Sequence, residues 1–166
     1  YLRLGHKDRA WAAMDYFFAH QRPVGWRHWA EVVWRDPLAP KMIGDMPHTW
    51  VGSDFLNAMR AMFVYEDQHQ QKLILLAGLP DAWLTDPAGV SFANLRTEYG
   101  TISATAKNAA AGKLVVTVKG SSNPPGGIEL RSPLSGTILS AAVNGEPAVV
   151  ADNGVLITRL RAELVL

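Results

Sequence analysis

The sequence predicts an α+β chain whose helical first part is followed by an all-β second part. Three observations carry this. Between residues 7 and 21 the apolar side chains Ala10, Trp11, Met14, Phe17 and Phe18 recur at three- and four-residue spacing, the period of a helix with one buried stripe. From Lys72 onward the pattern changes to short apolar runs separated by turn residues, as in an antiparallel sandwich. Between these stretches, Met46-Pro47-His48-Thr49-Trp50 leads a loop straight into a second amphipathic segment. The boundary is expected near residue 70, with helices in 1–70 and a β-sandwich in 71–166.

Arg22-Pro23-Val24-Gly25 ends the first helix, by the restriction of proline and the freedom of glycine. Residues 26–34 read as a shorter helical stretch dense in tryptophan, broken by Asp36-Pro37-Leu38-Ala39-Pro40. A helix over about 51–66 is expected to bury Phe55, Leu56, Met59, Met62 and Phe63, with Thr49 or Ser53 as its N-cap. A helical hairpin of this kind cannot cover its own apolar stripe, so partners are expected elsewhere, in another chain or another part of the same one. In the second part, runs at 72–77, 90–95, 101–106, 113–119, 128–132, 137–143, 147–150 and 155–166 read as strands. Asn144-Gly145 and Asn153-Gly154 are hairpin signals that tolerate positive φ.

Composition narrows the function classes. A net charge of +1 predicts neither a nucleic-acid footprint nor an anionic-membrane partner. The absence of cysteine excludes a disulfide framework, a thiolate zinc site and a cysteine nucleophile. No run approaches the ~18 apolar residues needed to span a bilayer. The first residues, Tyr1-Leu2-Arg3-Leu4-Gly5-His6, lack an initiator methionine, and the chain is read as a piece of a larger polypeptide. No metal site is expected, because the five histidines are scattered and His28-x-x-Glu31 alone is a weak pair. No G-x-S-x-G or complete P-loop occurs, and no cofactor is expected.

The concentrated chemistry lies between residues 26 and 54. Glu31 stands among Trp26, His28, Trp29 and Trp34, with Asp36 and Asp45 following. A carboxylate against tryptophan in a partly dry pocket has its charged form disfavoured, which suits acid–base work near neutral pH. Tryptophan faces also stack on the apolar faces of a pyranose. The competing reading is a solvent-facing Glu31 on a helix whose tryptophans are core. His48, between Pro47 and Trp50, either donates to a substrate hydroxyl or bonds a backbone carbonyl and shapes the loop. Ser53-Asp54 reads as a helix-start device rather than a catalytic pair.

Three segments in order carry a resemblance: Met46-Pro47-His48-Thr49-Trp50 before a helix; Lys72-Leu73-Ile74-Leu75-Leu76-Ala77-Gly78-Leu79-Pro80-Asp81-Ala82-Trp83-Leu84; and Leu95-Arg96-Thr97-Glu98-Tyr99-Gly100-Thr101-Ile102-Ser103. Over roughly residues 26–120 the chain resembles the C-terminal part of bacterial six-hairpin glycosidases, most closely the α-L-rhamnosidase-like enzymes. The resemblance implies the terminal helical hairpin or hairpins of an (α/α)6 barrel followed by a small antiparallel β-sandwich. It implies a carbohydrate substrate, a periplasmic or secreted location, and an inverting two-carboxylate mechanism. Glu31 would inherit the general-base role of a Trp-Glu-Arg-Trp-type motif, met here as Trp29-Ala30-Glu31 with Trp34-Arg35-Asp36, a departure in spacing that leaves Asp45 as its rival. Trp34, His48 and Trp50 would wall the sugar subsite. The general acid would lie upstream of Tyr1, in the missing N-terminal part of the polypeptide. The alternative is a non-catalytic structural or carbohydrate-binding module whose sandwich does the binding.

Overall fold

Periodicity and β-branching divide this chain between helix and sheet, and the outcome is mostly sheet. A computed structural model describes residues 1–21, 25–34, 36, 44–109, 112–160 and 162–166. Two compact units form, Tyr1–Ala61 and Met62–Leu166.

In the first unit a 3₁₀ turn, Leu2–Leu4, precedes α1, Lys7–Ala19. The stripe read from the sequence buries Ala10 and Met14 and half-buries Trp11 and Phe17, whereas Phe18 stays exposed. Helix α2 spans Thr49–Phe63, and its last two residues belong to the second unit. Ser53 does not cap it, since its hydroxyl donates to the Trp50 carbonyl at 2.8 Å. Leu56, expected to be buried, is 67% exposed.

The predicted terminal helical hairpin of an (α/α)6 barrel does not form. Among the described residues there are two α-helices and eleven strands in two mostly antiparallel sheets, so the chain is mostly β rather than a portion of a helical barrel. Two segments account for the difference. The described part of 26–34 is irregular, because its backbone groups pair at long range: Glu31 N–H donates to the Asp45 carbonyl at 3.0 Å and His48 N–H to the Trp29 carbonyl at 2.9 Å. Residues 64–66, read as the end of a helix, turn into β1, Val64–Asp67, which pairs antiparallel with β2, Lys72–Leu75. The turn between them is held by Gln70 N–H donating to Asp67 Oδ1 at 3.1 Å. The expected breaks at 22–24 and 37–40, and Arg35, lie outside the described residues.

The second unit continues with β3 (Val90–Thr97), β4 (Gly100–Ala109), β5 (Lys113–Gly120), β6 (Ile128–Arg131), β7 (Ala141–Val143), β8 (Glu146–Ala148), β9 (Val150–Ala151), β10 (Gly154–Ile157) and β11 (Ala162–Val165). One sheet has the order β1-β2-β6-β10-β9, parallel only between β2 and β6; the other, β3-β4-β5-β11-β7-β8, is antiparallel throughout. Alternate residues of both sheets meet in one core: Val64, Leu73, Leu75, Leu130 and Val155 on one side, Ile102, Leu114, Val116, Val118 and Leu164 on the other. That alternation is the period-2 pattern of half-buried strands. Asn144 and Gly145, both at positive φ, turn the β7–β8 hairpin. The second hairpin turns one residue earlier than the sequence suggests: Asp152 and Asn153 carry the positive φ, and Gly154 opens β10 opposite Ala151. No helix of the described residues is long and apolar enough to cross a membrane.

Candidate functional site

The first unit is built around rings rather than aliphatic side chains. Trp29 is 7% exposed; its ring lies 4.5 Å from that of Phe55 and 6.0 Å, edge-on, from that of Phe17. Its indole N–H donates to the Phe17 carbonyl at 2.7 Å, in the last turn of α1. Phe18 and Phe17 both contact Phe55 from the same helix, at 5.5 and 6.0 Å. A buried tryptophan whose N–H is satisfied is a rigid anchor, and this one fixes the 26–34 segment against α1 and α2.

From that anchor the segments 29–32 and 44–48 run antiparallel, joined by the two bonds above and by Gly44 N–H donating to the Val32 carbonyl at 3.4 Å. The pairing brings Glu31 and Asp45, both exposed, onto directly bonded backbone positions. The Glu31 side chain lies across Gly44, where an added Cβ would stand 2.6 Å from Oε2. The carboxylate is therefore on the surface, beside a glycine that leaves room for it, and not in a dry tryptophan pocket.

His48 occupies the N-cap position of α2, its carbonyl accepting from Gly52 N–H at 3.1 Å. Its Nδ1 is buried without a hydrogen-bond partner, an unusual condition for a buried polar atom. Its ring stacks loosely on Trp50, with centroids 6.2 Å apart. Trp50 itself is 69% exposed, Trp26 61% and Trp34 44%. Exposed tryptophans at this density offer flat apolar faces without being needed for the core.

An open hollow of about 680 Å³ lies in this unit, lined by Trp29, Pro47, His48, Thr49, Phe55 and the flanking residues of α1 and α2, and also by Arg27 and His28. Arg27 was passed over in the sequence, although Trp26-Arg27-His28-Trp29 places a guanidinium between two indoles. His48 is in the lining, whereas Trp34, Trp50, Glu31 and Asp45 are not among the residues that define it. Among the described residues no group of three His, Asp or Glu side chains comes together in a way that would hold a metal ion.

A second hollow, about 910 Å³, lies on the outer face of β3-β4-β5 and is lined by Ser91, Ala93, Thr105, Lys107, Thr117 and Lys119 among others. Its single aromatic residue, Phe92, packs toward the core and against Phe63. In the conspicuous charged cluster of the second unit, Lys72 ties β2 to Glu129 of β6 at 3.2 Å and Arg131 bonds Glu129 within β6 at 2.9 Å, a structural arrangement. No family model, curated protein or solved structure matches the chain.

Proposed function

We propose that the chain is part of a glycoside hydrolase and that its first unit supplies the saccharide-contacting surface. The observation that carries this reading is the pairing of 29–32 with 44–48, which sets Glu31 and Asp45 on bonded backbone positions and ties His48 to Trp29, in a unit where Trp26, Trp34 and Trp50 are exposed. Pyranose rings bind by stacking on aromatic faces while polar groups orient their hydroxyls. Trp34 and Trp50 offer the faces, and His48 offers an imidazole in the lining of the hollow.

In this reading Glu31 is the general base that draws a proton from the attacking water, with Asp45 as its rival for the same role. The reading requires a second carboxylate that protonates the leaving oxygen from the opposite side of the sugar. His48 positions a hydroxyl and does not enter the proton transfer. The competing reading, a carbohydrate-binding module acting through its sheets, has less support, since the sheet hollow offers small and cationic residues but no outward-facing ring.

The test is turnover of the natural polypeptide on a panel of aryl glycosides. Glu31→Gln is expected to lower it by on the order of 10³-fold, the contribution of a general base. Full activity in Glu31→Gln with an inactive Asp45→Asn would transfer the role to Asp45. Retained activity in both variants would end the assignment.

A further inference from the structure

The hollow of the first unit carries a sign as well as a shape. Its described polar side chains are Gln21, Arg27, His28, His48, Thr49 and Ser53. None is a carboxylate, although Glu31 and Asp45 stand close by along the paired segments. Arg27 can only donate, through a planar fork that matches a carboxylate with two parallel bonds. The Ser53 hydroxyl proton is already given to the Trp50 carbonyl. The first turn of α2 also borders the hollow through Thr49 and Gly52, and the Gly52 N–H is already given to the His48 carbonyl. A neutral sugar, whose hydroxyls both donate and accept, is best met by mixed donors and acceptors that include carboxylates. A lining of one guanidinium and two imidazoles without a carboxylate, floored by Trp29 and Phe55, instead meets an anion attached to a ring.

We propose that this hollow binds a saccharide bearing a carboxylate, a uronic-acid residue, with Arg27 on the carboxylate, His48 on a neighbouring hydroxyl and the aromatic floor beneath the ring. The inference rests on the saccharide reading above and adds the charge of the sugar. Arg27 lies on the exposed side of the hollow, which lets it reach a ligand entering from solvent and makes its replacement tolerable to the fold.

The test is calorimetric titration of the 166-residue chain with a short oligogalacturonide, its neutral galactose counterpart, and acetate as a simple anion. The expected result is binding of the oligogalacturonide roughly tenfold or more tighter than the neutral sugar, the scale of a charge-assisted hydrogen bond. Arg27→Ala should abolish that preference, and Arg27→Lys should restore part of it, because the charge survives without the fork. Equal affinity for the acidic and neutral sugars would overturn the uronate assignment and leave the saccharide reading standing. Binding of neither sugar would overturn both. Acetate competing as well as the oligogalacturonide would reduce the hollow to an anion site and overturn the assignment of a sugar.

Discussion

Glu129 shows what a single side chain contributes to the second unit. Burial alone would raise its pKa, but hydrogen bonds and charge from Arg131 and Lys72 outweigh that and hold it below its ordinary 4.5. A depressed carboxylate stabilises the fold above its unfolded pKa and loses that contribution as pH falls through its folded value. Glu129→Gln is therefore expected to cost about 1–2 kcal/mol near neutral pH, a figure kept modest because the cluster is partly solvated. Urea unfolding should show the cost disappearing as the pH is lowered well below 4.5. A cost unchanged by acid would mean that shape rather than charge matters at this position. His48 and Arg27 work differently: neither builds the fold's core, and their worth is in what they present to the hollow.

At the scale of elements, local pattern decides where it is strong and loses where long-range pairing competes. The α1 stripe and the Val116–Val118 alternation were legible because each is satisfied within its own neighbourhood. The 26–34 segment was not, because tryptophans at helical spacing also suit an extended strap whose backbone bonds reach residues 44–48. The start of β1 was hidden for a related reason: Val64 and Tyr65 continue the apolar run of α2, and only pairing with Leu75 and Ile74 makes them strand. Sequence singled out His48, Glu31 and Asp45, but it left Glu31 between a dry tryptophan pocket and a solvent-facing position, and it overlooked Arg27. Which residues line a hollow depends on how distant segments fold back.

The β4–β5 ladder offers a test at this scale. Gly120 ends β5 at φ 147, and a Cβ there would overlap the Thr101 carbonyl oxygen. Gly120→Ala is expected to destabilise the second unit by about 2–3 kcal/mol, from the unfavourable backbone conformation together with the overlap. A melting temperature within a degree or so of the parent would contradict the role assigned to that glycine.

For the whole molecule, the two units divide the labour. Met62–Leu166 builds a continuous aliphatic core between two sheets and ties its surface with ion pairs. Tyr1–Ala61 buries few residues and leaves Trp26, Trp34, Trp50 and Leu56 exposed. Exposed rings in the unit that carries the hollow fit contact with a ligand, whereas a polar sheet face edged by lysines fits solvent. The central claim, that saccharide contacts fall in the first unit, is tested most directly by mapping amide and indole NMR shifts while the oligogalacturonide is added. The account predicts shifts at His48, Trp50, Trp29 and Arg27, with Thr105, Thr117 and Lys119 unmoved. Shifts confined to those three sheet residues, with the first unit silent, would contradict it.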